Sequence, residues 1–159
     1  MTVRILCAAA IILSCSYIGV KLSDSMRKRA RSLTEILSVV GHIESCISTV
    51  RMPLTEIYQN LSQTKGRVGE FFSGLNPGES WNGRIDMFGG LTVQDKKLIC
   101  GLSDKLGAYE STRQLDEIKM TKNLLDDELI KAKKDVAENS KTYRAMSFFA
   151  GVVIAILLV

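Results

Sequence analysis

Apolar residues crowd the two ends of the chain, and charged residues fill the stretch between them. The run Val3 to Val20 carries one cation, Arg4, at its outer edge, and the run Ala145 to Val159 carries none. A helix rises about 1.5 Å per residue and bilayer hydrocarbon is roughly 30 Å thick, so the first run can just span it and the second nearly can. Snorkelling by Arg144 and an interfacial Tyr143 would lengthen the second. The pattern predicts transmembrane helices over 1–22 and 145–159, with a soluble domain over 23–144.

Within the middle region the apolar spacing is helical. Leu33, Ile36, Leu37, Val40, Ile43, Ile47 and Val50 recur at three- and four-residue steps, the stripe of a helix that continues out of the first apolar run. It is expected to stop near Met52, because Pro53 disfavours a helical residue before it and suits the first turn of the next helix. Leu54, Ile57, Tyr58 and Leu61 make that second stripe. After Gly66 and Gly69, Val68, Phe71, Phe72 and Leu75 predict a short helix; Asn76, Pro77 and Gly78 turn the chain, and Trp81, Ile85 and Phe88 predict another.

Thr92, with Asp95 three residues on, has capping-box spacing, so a helix should begin at Val93, bury Leu98, Ile99, Leu102 and Leu106, and close at Gly107. The last element is the longest. Leu115, Ile118, Leu125, Leu129, Ala132, Val136 and Tyr143 hold an apolar seam with no Pro or Gly from Glu110 to Ala150, and a helix running from there to the carboxyl terminus would be roughly 70 Å long. Period-two alternation is absent. The expected fold is all-α: a helical bundle flanked by an N-terminal and a C-terminal transmembrane helix.

Charge then orients the chain. Lys21, Arg27, Lys28, Arg29 and Arg31 follow the first apolar run, and Lys131, Lys133, Lys134, Lys141 and Arg144 precede the second. Both segments predict a cytoplasmic middle with the termini across the membrane. The competing readings are a cleaved signal peptide, a lipidated Cys15 on an exported helical protein, and a second run that is only a buried core helix. The net charge of +4 is modest and its cations cluster beside the membrane, which favours anionic lipid headgroups over nucleic acid. Cys7, Cys15, Cys46 and Cys100 show no paired spacing, so neither disulfides nor a metal is expected.

No catalytic constellation stands out. His42 is the single histidine, lodged between Val40 and Ile43, and Asp126, Asp127 and Glu128 splay around their helix rather than converge. No phosphate loop or HExxH is present. The expectation is a protein without enzymatic activity or cofactor. Small residues stand out more: Cys15 and Gly19 are spaced by four, as are Gly151 and Ala155, and such faces let membrane helices approach closely. The two apolar segments should therefore pack on each other or on partner helices.

The order of these pieces resembles the stage III sporulation protein AB family. Glu44 and Ile47 leading into Pro53-Leu54-Thr55-Glu56 are similar to that family's first soluble helices. Trp81, the Asp95 and Leu98 helix, and Leu106-Gly107 with Glu110 and Gln114 follow its pattern in order. The closing stretch from Ala137 to Arg144, then Gly151 and the aliphatic tail, matches best. Cys46, Met52 and Tyr109 depart from it.

The resemblance implies a secretion-like sporulation complex joining mother cell to forespore, in the membrane around the forespore. It also implies a soluble domain similar to the cytoplasmic domains of type II secretion and type IV pilus platform proteins. By that analogy the partners are the sporulation AA-type ATPase and other membrane components of the complex, and the Lys131, Lys133 and Lys134 cluster is the candidate docking surface. A general helical scaffold, self-associating through the long last helix, is the alternative.

Overall fold

The computed structural model describes the backbone of residues 2–107 and 111–158; the side chains of 1–9, 108–112, 144 and 157–159 are outside the described set. All regular structure among the described residues is helical. Helix α1 spans Thr2–Ser45, α2 Leu54–Ser62, α3 Arg67–Phe72, α4 Val93–Ser103 and α5 Ser111–Leu158. A π turn, Cys46–Val50, follows α1, and two 3₁₀ turns, Trp81–Gly83 and Ile85–Met87, lie between α3 and α4. The chain divides into two compact units, one of Met1–Ala30 with Lys131–Val159 and one of Arg31–Ile130. The expected bundle limits of 23 and 144 mark where charge gives way to apolar sequence, whereas the packed bundle itself is Arg31–Ile130.

Leu33, Ile36, Val40, Ile43 and Ile47 of the first stripe are buried in the bundle, but Val50 is 63% exposed. The π turn is the reason: its wider winding rotates Val50 off the face that a 3.6-residue period assigns to it. The chain then leaves through Arg51, a non-glycine residue at φ 54°, whose N–H donates to the Cys46 carbonyl. Pro53 sits one position earlier than expected, as the residue that precedes α2 rather than in its first turn.

Aromatic rings fill the centre of the bundle. Phe71 meets Phe72, Trp81 and Phe88 edge-to-face at 5.0, 5.4 and 5.3 Å, and Tyr58 meets Phe72 at 5.0 Å. Trp81, Ile85 and Phe88 are all buried, on 3₁₀ turns and the residue that follows rather than on one helix. Ser103 holds Trp81 in place, accepting its backbone N–H at 3.2 Å while donating to the Cys100 carbonyl at 2.7 Å. Arg84 donates to the carbonyls of Phe71 and Ser73, tying the 3₁₀ segment to the end of α3. Gly69 is required here, since a Cβ would lie 1.8 Å from the Thr64 carbonyl oxygen.

The Thr92 capping box forms in full. Its hydroxyl accepts from Asp95 N–H at 3.1 Å, and the buried Asp95 carboxylate accepts from Thr92 N–H at 2.9 Å. Ile99, Leu102 and Leu106 are buried, but Leu98 is only half-buried. Gly107 has φ +86°, yet α4 ends at Ser103, so this glycine closes the turn over residues 104–107 instead of the helix. Tyr109 and Glu110 are among the residues outside the described set.

Candidate functional site

The unit built from the ends of α1 and α5 packs small residues against each other. A Cβ on Gly19 would lie 2.7 Å from the Ser147 Cβ and Oγ, and one on Gly151 would lie 3.0 Å from the Cys15 Cβ and 3.2 Å from the Ile12 Cα. Ala155 is 5% exposed. Ser23 and Ser140 share a buried hydroxyl–hydroxyl bond of 2.5 Å. All four small residues singled out in the sequence thus lie at or beside this seam. Ser23 and Ser140 extend it: Cys15, Gly19 and Ser23 step by four, as do Ser147, Gly151 and Ala155. The four-residue spacing of Cys15 and Gly19 carries on past the apolar run to Ser23.

Outward, the same unit presents large apolar side chains. Leu13, Ile18, Phe149 and Ile156 are 70%, 63%, 65% and 72% exposed. Among the described residues one helical stretch, Ala10–Val50, is long and apolar enough to cross a membrane by length and composition. The C-terminal apolar run, expected as a second transmembrane helix, is not shown as one; it forms the end of α5.

The cations named from sequence are spread along both helices. Lys21 is exposed and lies 5.5 Å from the Tyr17 ring centre, Lys28 pairs with Asp24 at 3.2 Å, and Arg27, Arg31 and Lys141 are exposed. Arg29 is half-buried and partnered. The Arg144 side chain is outside the described residues. Lys131, Lys133 and Lys134 are exposed, with Lys131 partnered and Lys134 3.9 Å from Glu138. These lysines belong to the unit of paired helix ends, not to the Arg31–Ile130 bundle.

One family's sequence model matches residues 4–159, nearly the whole length. The chain belongs to the stage III sporulation protein AB family. Membership assigns it a role in stage III of sporulation. No curated protein and no solved structure matches it.

In the bundle of this family member, ion pairs join α5 to α1, the turn after α4 to α5, and α3 to α1. Lys122 donates to Glu44 at 2.6 Å and Lys105 to Glu117 at 2.7 Å, while Arg67 bonds Glu35 at 2.5 Å. Each is half-exposed and contributes at most about 1 kcal/mol, so their work is alignment more than stability. His42 is exposed, its Nε2 3.6 Å from the Cys46 Sγ. No group of three or more His, Cys, Asp or Glu converges among the described residues.

Burial perturbs titration at Tyr58 in the aromatic core and at Cys100 on α4. Burial pushes the Tyr58 phenol up to about 12, against a smaller opposing influence of the neighbouring Trp81, although neither the Tyr58 hydroxyl nor Trp81 Nε1 has a partner at hydrogen-bond geometry. Burial, reinforced by Asp104 and Asp86, also raises the Cys100 thiol, which keeps it protonated and unreactive.

The surface that sequence reasoning missed lies between α4 and α5. It is an open groove of about 750 Å³ lined by Val93, Leu98, Lys97, Lys105, Met120 and Leu124 among others. Leu98 was expected in the core. Its position in the groove shows that α4 divides its apolar residues between core and surface, a division that helical periodicity alone does not reveal.

Proposed function

We propose that this chain is a non-enzymatic membrane platform of a secretion-like sporulation complex between mother cell and forespore. In this reading both helix ends cross the membrane around the forespore, and the bundle and the Lys131, Lys133 and Lys134 stretch of α5 lie on the cytoplasmic face, where they dock the sporulation AA-type ATPase. One observation carries the membrane part: the paired helix ends are packed inside out, with Gly19, Gly151 and Ser23 inward and Leu13, Phe149 and Ile156 outward. Water rejects such an exterior, and lipid tolerates it. The cations Lys21, Arg27, Lys28, Arg29, Arg31, Lys141 and Arg144 support the orientation and suit anionic headgroups.

The adaptor part rests on family membership together with a bundle braced by half-exposed ion pairs. The test has two arms. In a chain lacking its native cysteines, Lys134→Cys should react with a membrane-impermeant maleimide only after cells are permeabilised. Membranes carrying the chain should retain the ATPase, and charge reversal at Lys131, Lys133 and Lys134 should release it. Labelling of intact cells would overturn the topology; absence of retention with sound controls would overturn the adaptor role.

A further inference from the structure

We propose that His42 and Cys46, at the end of α1, form a two-point chelate for a borderline-soft divalent metal of the zinc class. The two residues are four apart and so share one face of the helix, with His42 Nε2 3.6 Å from Cys46 Sγ. Zinc holds an imidazole nitrogen at about 2.0–2.1 Å and a thiolate sulfur at about 2.3 Å, and a tetrahedral angle between them sets the two donors about 3.6 Å apart. The pair therefore already stands at the separation the metal requires, so an ion enters without a change of backbone.

Access and rigidity agree with this. His42 is exposed and Cys46 half-buried, which leaves the pair open to solvent. His42 lies within α1, and Cys46 opens the π turn, where its carbonyl accepts the N–H of Arg51 and, at 3.2 Å, that of Met52. Both ligands thus hang from hydrogen-bonded helical backbone rather than from a loop. The spacing of the cysteines gives no hint of the site, because its second donor is the chain's one histidine.

The donor types select the ion. An imidazole and a thiolate suit zinc and its neighbours, whereas magnesium and calcium take oxygen ligands. The carboxylates on the same stretch of α1, Glu35 and Glu44, are engaged by Arg67 and Lys122 at 2.5 and 2.6 Å. Water therefore completes the remaining positions, and the bound ion staples the last turn of α1 to the π turn.

The site depends on neither membrane topology nor ATPase docking, since it is read on the purified chain alone. Cobalt(II) titrated into the full chain in detergent, with Cys7, Cys15 and Cys100 replaced by Ala, should bind at one ion per chain and give a thiolate-to-cobalt charge-transfer band that zinc abolishes and magnesium does not. His42→Ala and Cys46→Ser should each weaken binding by at least about tenfold, more than loss of an outer-sphere partner costs. In the chain with its other cysteines intact, Cys46→Ser alone should remove the same band, which covers the case in which replacing buried Cys100 disturbs the fold. Helicity by circular dichroism should be unchanged in the His42 and Cys46 variants. Absence of the band, or an affinity that His42→Ala leaves unaltered, would overturn the chelate; so would displacement of cobalt by magnesium as readily as by zinc.

Discussion

The hydroxyls of Ser23 and Ser140 share a hydrogen bond of 2.5 Å although 117 residues separate them, and both side chains are buried. A hydroxyl buried among small residues has few other partners. Truncating either serine leaves the other unsatisfied, whereas truncating both removes the need. Ser23→Ala and Ser140→Ala should each cost about 1 kcal/mol, and the double variant little more than either alone. A thermal-unfolding cycle in detergent checks this; strictly additive losses would mean that the two hydroxyls are not coupled.

Glycines along α1 should respond in opposite directions. Gly19→Ala places a Cβ 2.7 Å from Ser147, too close without a shift of the helix pair, and should cost about 1–3 kcal/mol. At Gly41 the nearest atom is the flexible end of Lys122 at 4.0 Å, so Gly41→Ala should stabilise by up to about 1 kcal/mol through helix propensity. Unfolding of both variants in the same detergent decides the contrast, and equal effects would refute the close packing at Gly19.

These responses bear on what was legible in the chain. Periodicity located α1, α2, α4 and α5, because residues such as Leu33, Ile57, Ile99 and Ile118 must face one core. It failed at Val50, where a π turn breaks the period, and at Trp81 and Phe88, which are buried on a 3₁₀ turn and on the residue that follows one. The seam was half legible, since Gly19 and Gly151 were singled out while Ser23 and Ser140 lay in charged sequence and passed as polar. The α4/α5 groove was hidden for the opposite reason: Leu98 and Met120 are apolar, and only packing reveals that they are not in the core.

The capping box predicts a graded loss. Thr92→Ala removes the acceptor for Asp95 N–H and should cost about 1 kcal/mol, whereas Thr92→Ser keeps the hydroxyl and should cost less than half of that. Urea denaturation of the full chain in detergent measures both. An alanine variant as stable as wild type would show that tertiary contacts hold the start of α4 without its cap.

Tyr58 gives the chain an alkaline weakness with a defined sign. Its phenol is raised to about 12 in the folded state from 10.0, so folded and unfolded chains hold the same proton below about pH 10. Between roughly pH 10 and 12 the unfolded chain loses that proton first and is favoured, and stability should fall by about 2–3 kcal/mol across the window. Tyr58→Phe should abolish this Tyr58 contribution. At neutral pH the same variant should be neutral or slightly stabilising, because it deletes a buried hydroxyl that has no hydrogen-bond partner among the described residues. Denaturant unfolding of both chains at stepped alkaline pH, with phenolate absorbance followed in parallel, separates the two effects. If wild type and Tyr58→Phe lose stability in parallel up to about pH 12, the phenol is solvated and the aromatic core is less closed than its edge-to-face packing indicates.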